Sequence, residues 1–274
     1  MPLDRAISYF DQLVQLCALH LSPAGSNLGK YESDSAAFSL ARLAVRHAEG
    51  FRELAKWDTD GYAPAATISR TTFETGAVAA WLMVPEDPFE REGRWLGYYR
   101  SNERFYESLA KDLDRIGSNH SQNMRQTAHH YRDWRVTIER ILPPHVKCVP
   151  KPSMPEILKE LGHSGLYLAY RSTSQVIHAE PDALDLVRQI DYVKDDPNDT
   201  NPIFKSSEQM IRWGTFVDEK QWIILLRMNA WGMMISLTSV LPRIGSHYDQ
   251  QATYDVENLL HSELNQLQNR AMSR

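Results

Sequence analysis

The chain has 274 residues, 42% of them hydrophobic and 24% charged, with a formal net charge of −5. This composition supports one large core or two modest ones and excludes a disordered chain. The mild acidity argues against a protein that coats nucleic acid non-specifically, while leaving room for a local basic face.

Only two cysteines occur, Cys17 and Cys148. They form no CxxC pair, so a zinc ribbon, a redox motif and a disulfide framework are not expected, and a reducing, cytoplasmic setting is. The opening MPLDRAISYFDQL carries Asp4, Arg5 and Asp11 where a secretory leader needs an unbroken apolar run.

In chain order, residues 3–21 are apolar at Leu3, Ile7, Phe10, Leu13, Val14, Cys17 and Leu21, which is helical spacing. A second helix is expected over about 34–57 and a third over about 64–84, ending before PEDP. From Pro88 a long, charge-laced helix follows, then another that stops at Pro143–Pro144. HVKCVPKPSMP reads as a proline-rich connector, with a short helix over 156–161 and another over about 164–178. DYVKDDPNDTNP is expected to be an exposed loop, and MIRWGTFV a short strand or irregular. Two helices, about 218–241 and 247–272, complete the chain. The fold class is therefore all-α: one domain over 1–274, a bundle of about eight or nine helices, with C-terminal helices over about 218–272.

Trp222 to Leu241 is about as long as a bilayer span. It contains Arg227 and Asn229, and a mid-bilayer arginine costs roughly 2.5–3.5 kcal/mol. A buried core helix is expected, and a membrane partner is not.

Three segments carry candidate chemistry. In GLYLAYRSTSQVIHAEP, residues 165–181, helical geometry gathers Tyr167, Arg171, Ser174, Gln175 and His178 on one face. Leu166, Ala169, Thr173, Val176 and Ile177 fall on the other. Arg171 and His178 stand about two turns apart, roughly 10 Å along the axis. A permanent cation beside an imidazole that titrates near neutrality suits phosphate chemistry, including metal-free RNA cleavage through the 2′-OH. Structural or solvated residues at that spacing are the plain alternative.

In TISRTTFETGAVAAWLMV, apolar over most of its surface, Arg70 and Glu74 can pair at i, i+4. Such a buried pair ties helices together, or else Glu74 orients Arg171 or His178 and Arg70 adds a phosphate contact. Trp81 lies two turns from Glu74. Residues 117–147 hold five cations against Asp133 and Glu139, and four of the ten histidines. Arg125, His129 and Arg132 share a face there, near Tyr131 and Trp134, and could follow an RNA backbone or simply be solvated. His129 and Asp133 could give two metal ligands, but nothing completes a set, and no cofactor is expected. GxxxxGK[ST], GxGxxG and GxSxG are missing from the sequence.

The Arg171–x6–His178 spacing resembles the Arg–(four to six residues)–His signature of the HEPN superfamily (higher eukaryotes and prokaryotes nucleotide-binding domains). RTTFETGAVAAWL, residues 70–82, and YLAYRSTSQVIHAE, residues 167–180, are similar to a bacterial family of unknown function assigned to an HEPN-like fold, with the pattern Arg–x3–Glu and then Tyr–Arg–x2–Ser–x3–His. The resemblance implies an all-α, metal-independent endoribonuclease with an HEPN-like core over about 60–180 and with Arg171 and His178 facing across a homodimer interface. Ser174 and Tyr167 or Tyr170 would position RNA, in a toxin–antitoxin or phage-defence setting that could include an antitoxin partner. Many active members have Asn, Asp or His directly after the arginine. Ser172 stands there in this chain, so a silent module binding nucleotide, RNA or a protein partner is the alternative.

Overall fold

In the computed structural model, nine α-helices and one short hairpin lie within the described residues, which are 3–22, 28, 31–56, 62–177, 188–192, 209–213, 219–246 and 248–272. The helices are α1 (Asp4–Leu21), α2 (Glu32–Ala55), α3 (Tyr62–Met83), α4 (Pro88–Arg115), α5 (Ser121–Ile141), α6 (Met154–Glu160), α7 (Tyr167–Ile177), α8 (Glu219–Val240) and α9 (Gln250–Met272). The all-α bundle expected from the periodicity is what forms. A short strand, one of the two expectations for MIRWGTFV, forms there as β2 (Gln209–Trp213), and it pairs antiparallel with a strand not expected, β1 (Arg188–Tyr192), with Ile190 opposite Ile211.

α3 is apolar nearly all round, so it has to be covered on every side. It packs against α2, α4, α6, α7 and α8. Its Ala77, Val78, Ala79, Trp81 and Leu82 join one large buried cluster drawn also from α1, α2, α4, α8 and α9. Where α3 crosses α8 the two backbones touch. A Cβ on Gly76 would fall 1.9 Å from the carbonyl oxygen of Gly232, so side chains cannot exist at this crossing. Beside it, Asn229 donates to Ser69 Oγ at 2.6 Å, pinning the same two helices in the dry interior.

α8 is one helix long and apolar enough to cross a membrane by length and composition, and 67% of that stretch is buried within the bundle. Asn229 is fully buried in it, and Arg227 reaches Asn265 of α9 at 2.7 Å. The two polar groups that made this segment doubtful as a span serve as ties between helices.

α4 begins at Pro88 with Asp87 as its cap, the carboxylate accepting from Phe89 N at 2.9 Å. Its buried Arg91 pairs with Asp34 of α2 at 3.1 Å and also donates to the carbonyls of Pro85 and Glu86. Glu92 accepts from Ser33 N at 2.7 Å, so a carboxylate from α4 satisfies a free N–H in the first turn of α2. The proline-rich connector then lies across Gly93 and Gly97, and Val149 N donates to Gly93 O at 2.9 Å. A Cβ on Gly97 would collide with Val149 O.

α5 packs along α4 as an antiparallel hairpin and makes no other extensive helix contact among the described residues. Glu103 and Glu107 of α4 pair with Arg132, Glu103 also with Arg135, and Asp114 with Arg125. Tyr131 stacks between Tyr99 and Tyr106. Only Ile138 and Leu142 anchor the C-terminal end of α5 in the main core.

Candidate functional site

α7 is placed by the turn before it. Ser153 and Glu156 form a capping box that starts α6. Gly162 closes α6 at φ +78°, with His163 N reaching back to Leu158 O at 2.7 Å, which is a Schellman ending. A single 3₁₀ turn, Ser164–Leu166, then leads into α7, which lies along α3.

The inner side of α7 is apolar and aromatic. Leu166, Tyr167, Ala169 and Tyr170 pack on Phe73, Leu158 and Met228, with Trp231 at the edge. Phe73, Tyr170 and Tyr167 are stacked in sequence, each ring centroid 6.0 Å from the next. Thr173 is buried as well. On the outer side Leu168, Arg171 and Ser172 face solvent.

Arg70, Glu74 and Tyr170 meet at this contact. Arg70 Nε donates to Glu74 Oε1 at 2.8 Å, and Arg70 Nη2 donates to the Tyr170 hydroxyl at 2.9 Å. That hydroxyl donates in turn to Glu74 Oε1 at 2.7 Å, while the guanidinium lies over the Tyr170 ring at 4.8 Å. Burial, then the Glu74 carboxylate, pushes the Tyr170 phenol above its ordinary value. Burial alone would lower Arg70, but Glu74 and Tyr170 outweigh it and raise it, so the guanidinium stays charged. Tyr170 is therefore occupied in holding α7 to α3. Its side chain is turned inward, away from the outer face that carries Arg171.

The three hydroxyls after Tyr170 bond to their own helix. Ser172 donates to Ala169 O, while Thr173 and Ser174 both donate to Tyr170 O, at 2.8 and 3.0 Å. Ser174 is half-buried and Tyr167 is partly covered. Arg171 is exposed and has no ion pair among the described residues. His178 and the side chain of Gln175 lie outside the described residues. Of the expected site, α3 and α7 bring Arg70, Glu74 and Tyr170 into contact; Tyr167, expected on the face of Arg171, stacks inward on Tyr170, while Arg171 stands in solvent and Ser174 bonds to its own helix.

The second expected group sits elsewhere, on the α4–α5 hairpin, and α5 shares no packed contact with α7. Its cations are already paired: Arg125 with Asp114, Arg132 with Glu103 and Glu107, and His129 Nδ1 with Asp133 at 2.8 Å. Arg125 and Arg132 keep about half their side-chain surface in water (55% and 46%), where such pairs are weak and a phosphate can compete for them. Among the described residues no group of three His, Cys, Asp or Glu could hold a metal ion.

The sequence pattern did not reveal the partner of Tyr170 or the role of Arg94. Arg94 lies over the ring of the buried Trp81, donates to Trp81 O at 2.7 Å and pairs with Glu160, tying α6 to α3. Comparison with protein-family models, with characterised proteins and with solved structures finds no match.

Proposed function

We propose that the chain is an HEPN-like, metal-independent endoribonuclease in which Arg171 and His178 act on the RNA backbone. One observation carries this reading: an exposed arginine without an ion pair among the described residues stands on a helix whose neighbouring residue, Tyr170, is held by Arg70 and Glu74. A guanidinium kept in water on a fixed helix is available to a phosphate, and the imidazole seven residues on supplies the proton chemistry.

In the proposed step the 2′-OH attacks the adjacent phosphorus. Its proton passes to a base, a proton reaches the departing 5′-oxygen, and a 2′,3′-cyclic phosphate forms. Arg171 stabilises the charge gathering on the phosphoryl oxygens, and His178 serves as the general acid or base. Two copies supplying Arg171 and His178 to each other would complete the site, in a cytoplasmic toxin or phage-defence setting.

The second reading is a silent HEPN-like module that binds nucleotide, RNA or a protein partner. Ser172 favours it, because that hydroxyl is turned back onto Ala169 O and stands where active members carry Asn, Asp or His. Incubation of the purified protein with RNA in EDTA tests both. Cleavage that is abolished by Arg171→Ala and by His178→Ala, with folding intact, supports the nuclease. Undiminished cleavage by either variant overturns the assigned roles, and binding without cleavage establishes the silent module.

A further inference from the structure

The α4–α5 hairpin has two unlike sides. The cross-helix ion pairs and the Tyr106–Tyr131 stack fix which residues stand level with one another. Helical geometry then puts Glu103, Glu107, Asp114, Arg125 and Arg132 along one side. The same geometry puts Phe105, Leu109 and Ile116 of α4, with Trp134 and Ile141 of α5, along the opposite side. Phe105 is 60% exposed, Ile116 76%, Ile141 73% and Trp134 39%. These four alone leave on the order of 400 Å² of apolar side chain in water, strung along one side of the hairpin. Among the described residues no helix other than α4 makes an extensive contact with α5.

We propose that this apolar side of the hairpin docks against the same side of a second copy, making a four-helix bundle. Two features select a second copy as the occupant. The strip is close to symmetric along its length: Ile141 is about level with Gly97, Trp134 with Arg104, and Phe105, Leu109 and Ile116 continue to the tip. A two-fold axis near Glu107 therefore sets Ile141 of one copy against Ile116 of the other, and Phe105 against Leu109. Such self-complementarity is what a closed, isologous dimer requires. The area also fits. α5 is about 32 Å long and the pair about 20 Å wide, giving roughly 600 Å² per copy, or roughly 1,200 Å² in all, the lower end for a specific interface. Antiparallel helix pairs with a central apolar stripe pack in this way. The proposal does not depend on the nuclease reading.

Size-exclusion chromatography with light scattering, run at micromolar concentration, tests it. The wild type is expected at twice 31.5 kDa. Phe105→Glu combined with Ile116→Glu is expected at the monomer mass, with the helical circular-dichroism signal and a cooperative melt retained, since both side chains face solvent within one copy. In a Cys148→Ser background, a short bismaleimide should join Ile116→Cys/Ile141→Cys chains into covalent dimers and leave Ile116→Cys alone unlinked. A monomeric wild type, a double glutamate variant that stays dimeric, or cross-linking of Ile116→Cys alone overturns the proposal. So does a monomer that binds phosphatidylcholine vesicles through Phe105 and Ile116, which would assign the face to a lipid surface.

Discussion

The Tyr170 hydroxyl and Glu74 Oε1 are 2.7 Å apart although 96 residues separate them in the chain, and Arg70 touches both. Tyr170→Phe keeps the ring stack on Phe73 and removes only the hydroxyl. The expected cost is about 1 kcal/mol, since a hydrogen bond to a charged group contributes about 1.5–3 when buried and this one is half in water. Urea denaturation measures it. Arg171→Ala, at an exposed position, should leave the urea midpoint unchanged, so any loss of RNA cleavage in that variant reports chemistry.

The α3–α8 crossing predicts opposite outcomes for two glycines. Gly76→Ala places a methyl 1.9 Å from Gly232 O, and forcing the helices apart should cost about 3 kcal/mol or more. Gly50, on an exposed face of α2, would meet only Ile68 Cδ1, at 3.8 Å. Gly50→Ala should therefore stabilise by about 0.5–1 kcal/mol through helix propensity and a less disordered unfolded chain. Equal shifts in melting temperature for the two would contradict the crossing geometry.

Asp34→Ala should be among the most damaging single changes. It leaves the buried Arg91 guanidinium with only the Pro85 and Glu86 carbonyls, and breaking a buried pair from one side costs about 3–5 kcal/mol. The Asp34→Leu/Arg91→Met double variant removes both charges and should recover part of that loss in the same denaturation series.

Two glutamates of α4 should give opposite pH dependences. Burial would raise Glu103, but hydrogen bonds from Arg132 and Arg135 hold it below the ordinary 4.5. Its stabilisation is present above pH 4.5 and is lost as pH falls through the lower, folded value. Burial, only partly offset by the Ser33 hydrogen bonds, raises Glu92 above 4.5. Its contribution is full below 4.5 and lost as pH rises through the higher, folded value. Glu103→Gln should therefore flatten the acid limb of stability against pH, and Glu92→Gln should remove a decline on the approach to neutrality. Urea midpoints collected from pH 3.5 to 7 check both signs.

The nine described helices were legible from a helical apolar stripe, as in α1 and α2, from an apolar run long enough for a buried helix, as in α3 and α8, or from a charge-laced run, as in α4, each with a stop of Gly, Pro or a polar turn. The inward turn of Tyr170 was not, since its partners lie on α3, 96 and 100 residues away, and a helical wheel of α7 cannot see them. The partners of the α5 arginines are hidden for the same reason, since Glu103, Glu107 and Asp114 approach from α4 and not from the same helix. β2 carries Met210, Ile211 and Trp213 and could be read as a strand, whereas its pairing with β1 could not, because two five-residue strands need each other and lie far apart in the sequence.

The contact of Gly76 with Gly232 leaves α3 and α8 no compressible layer, and Glu74 sits on the same turn of α3 as Gly76. A sideways push on α8 would therefore be delivered, undamped, to the anchor of the helix that carries Arg171. A substitution that widens this crossing would shift Glu74 as well, and with it the hydroxyl contact that holds Tyr170 and α7.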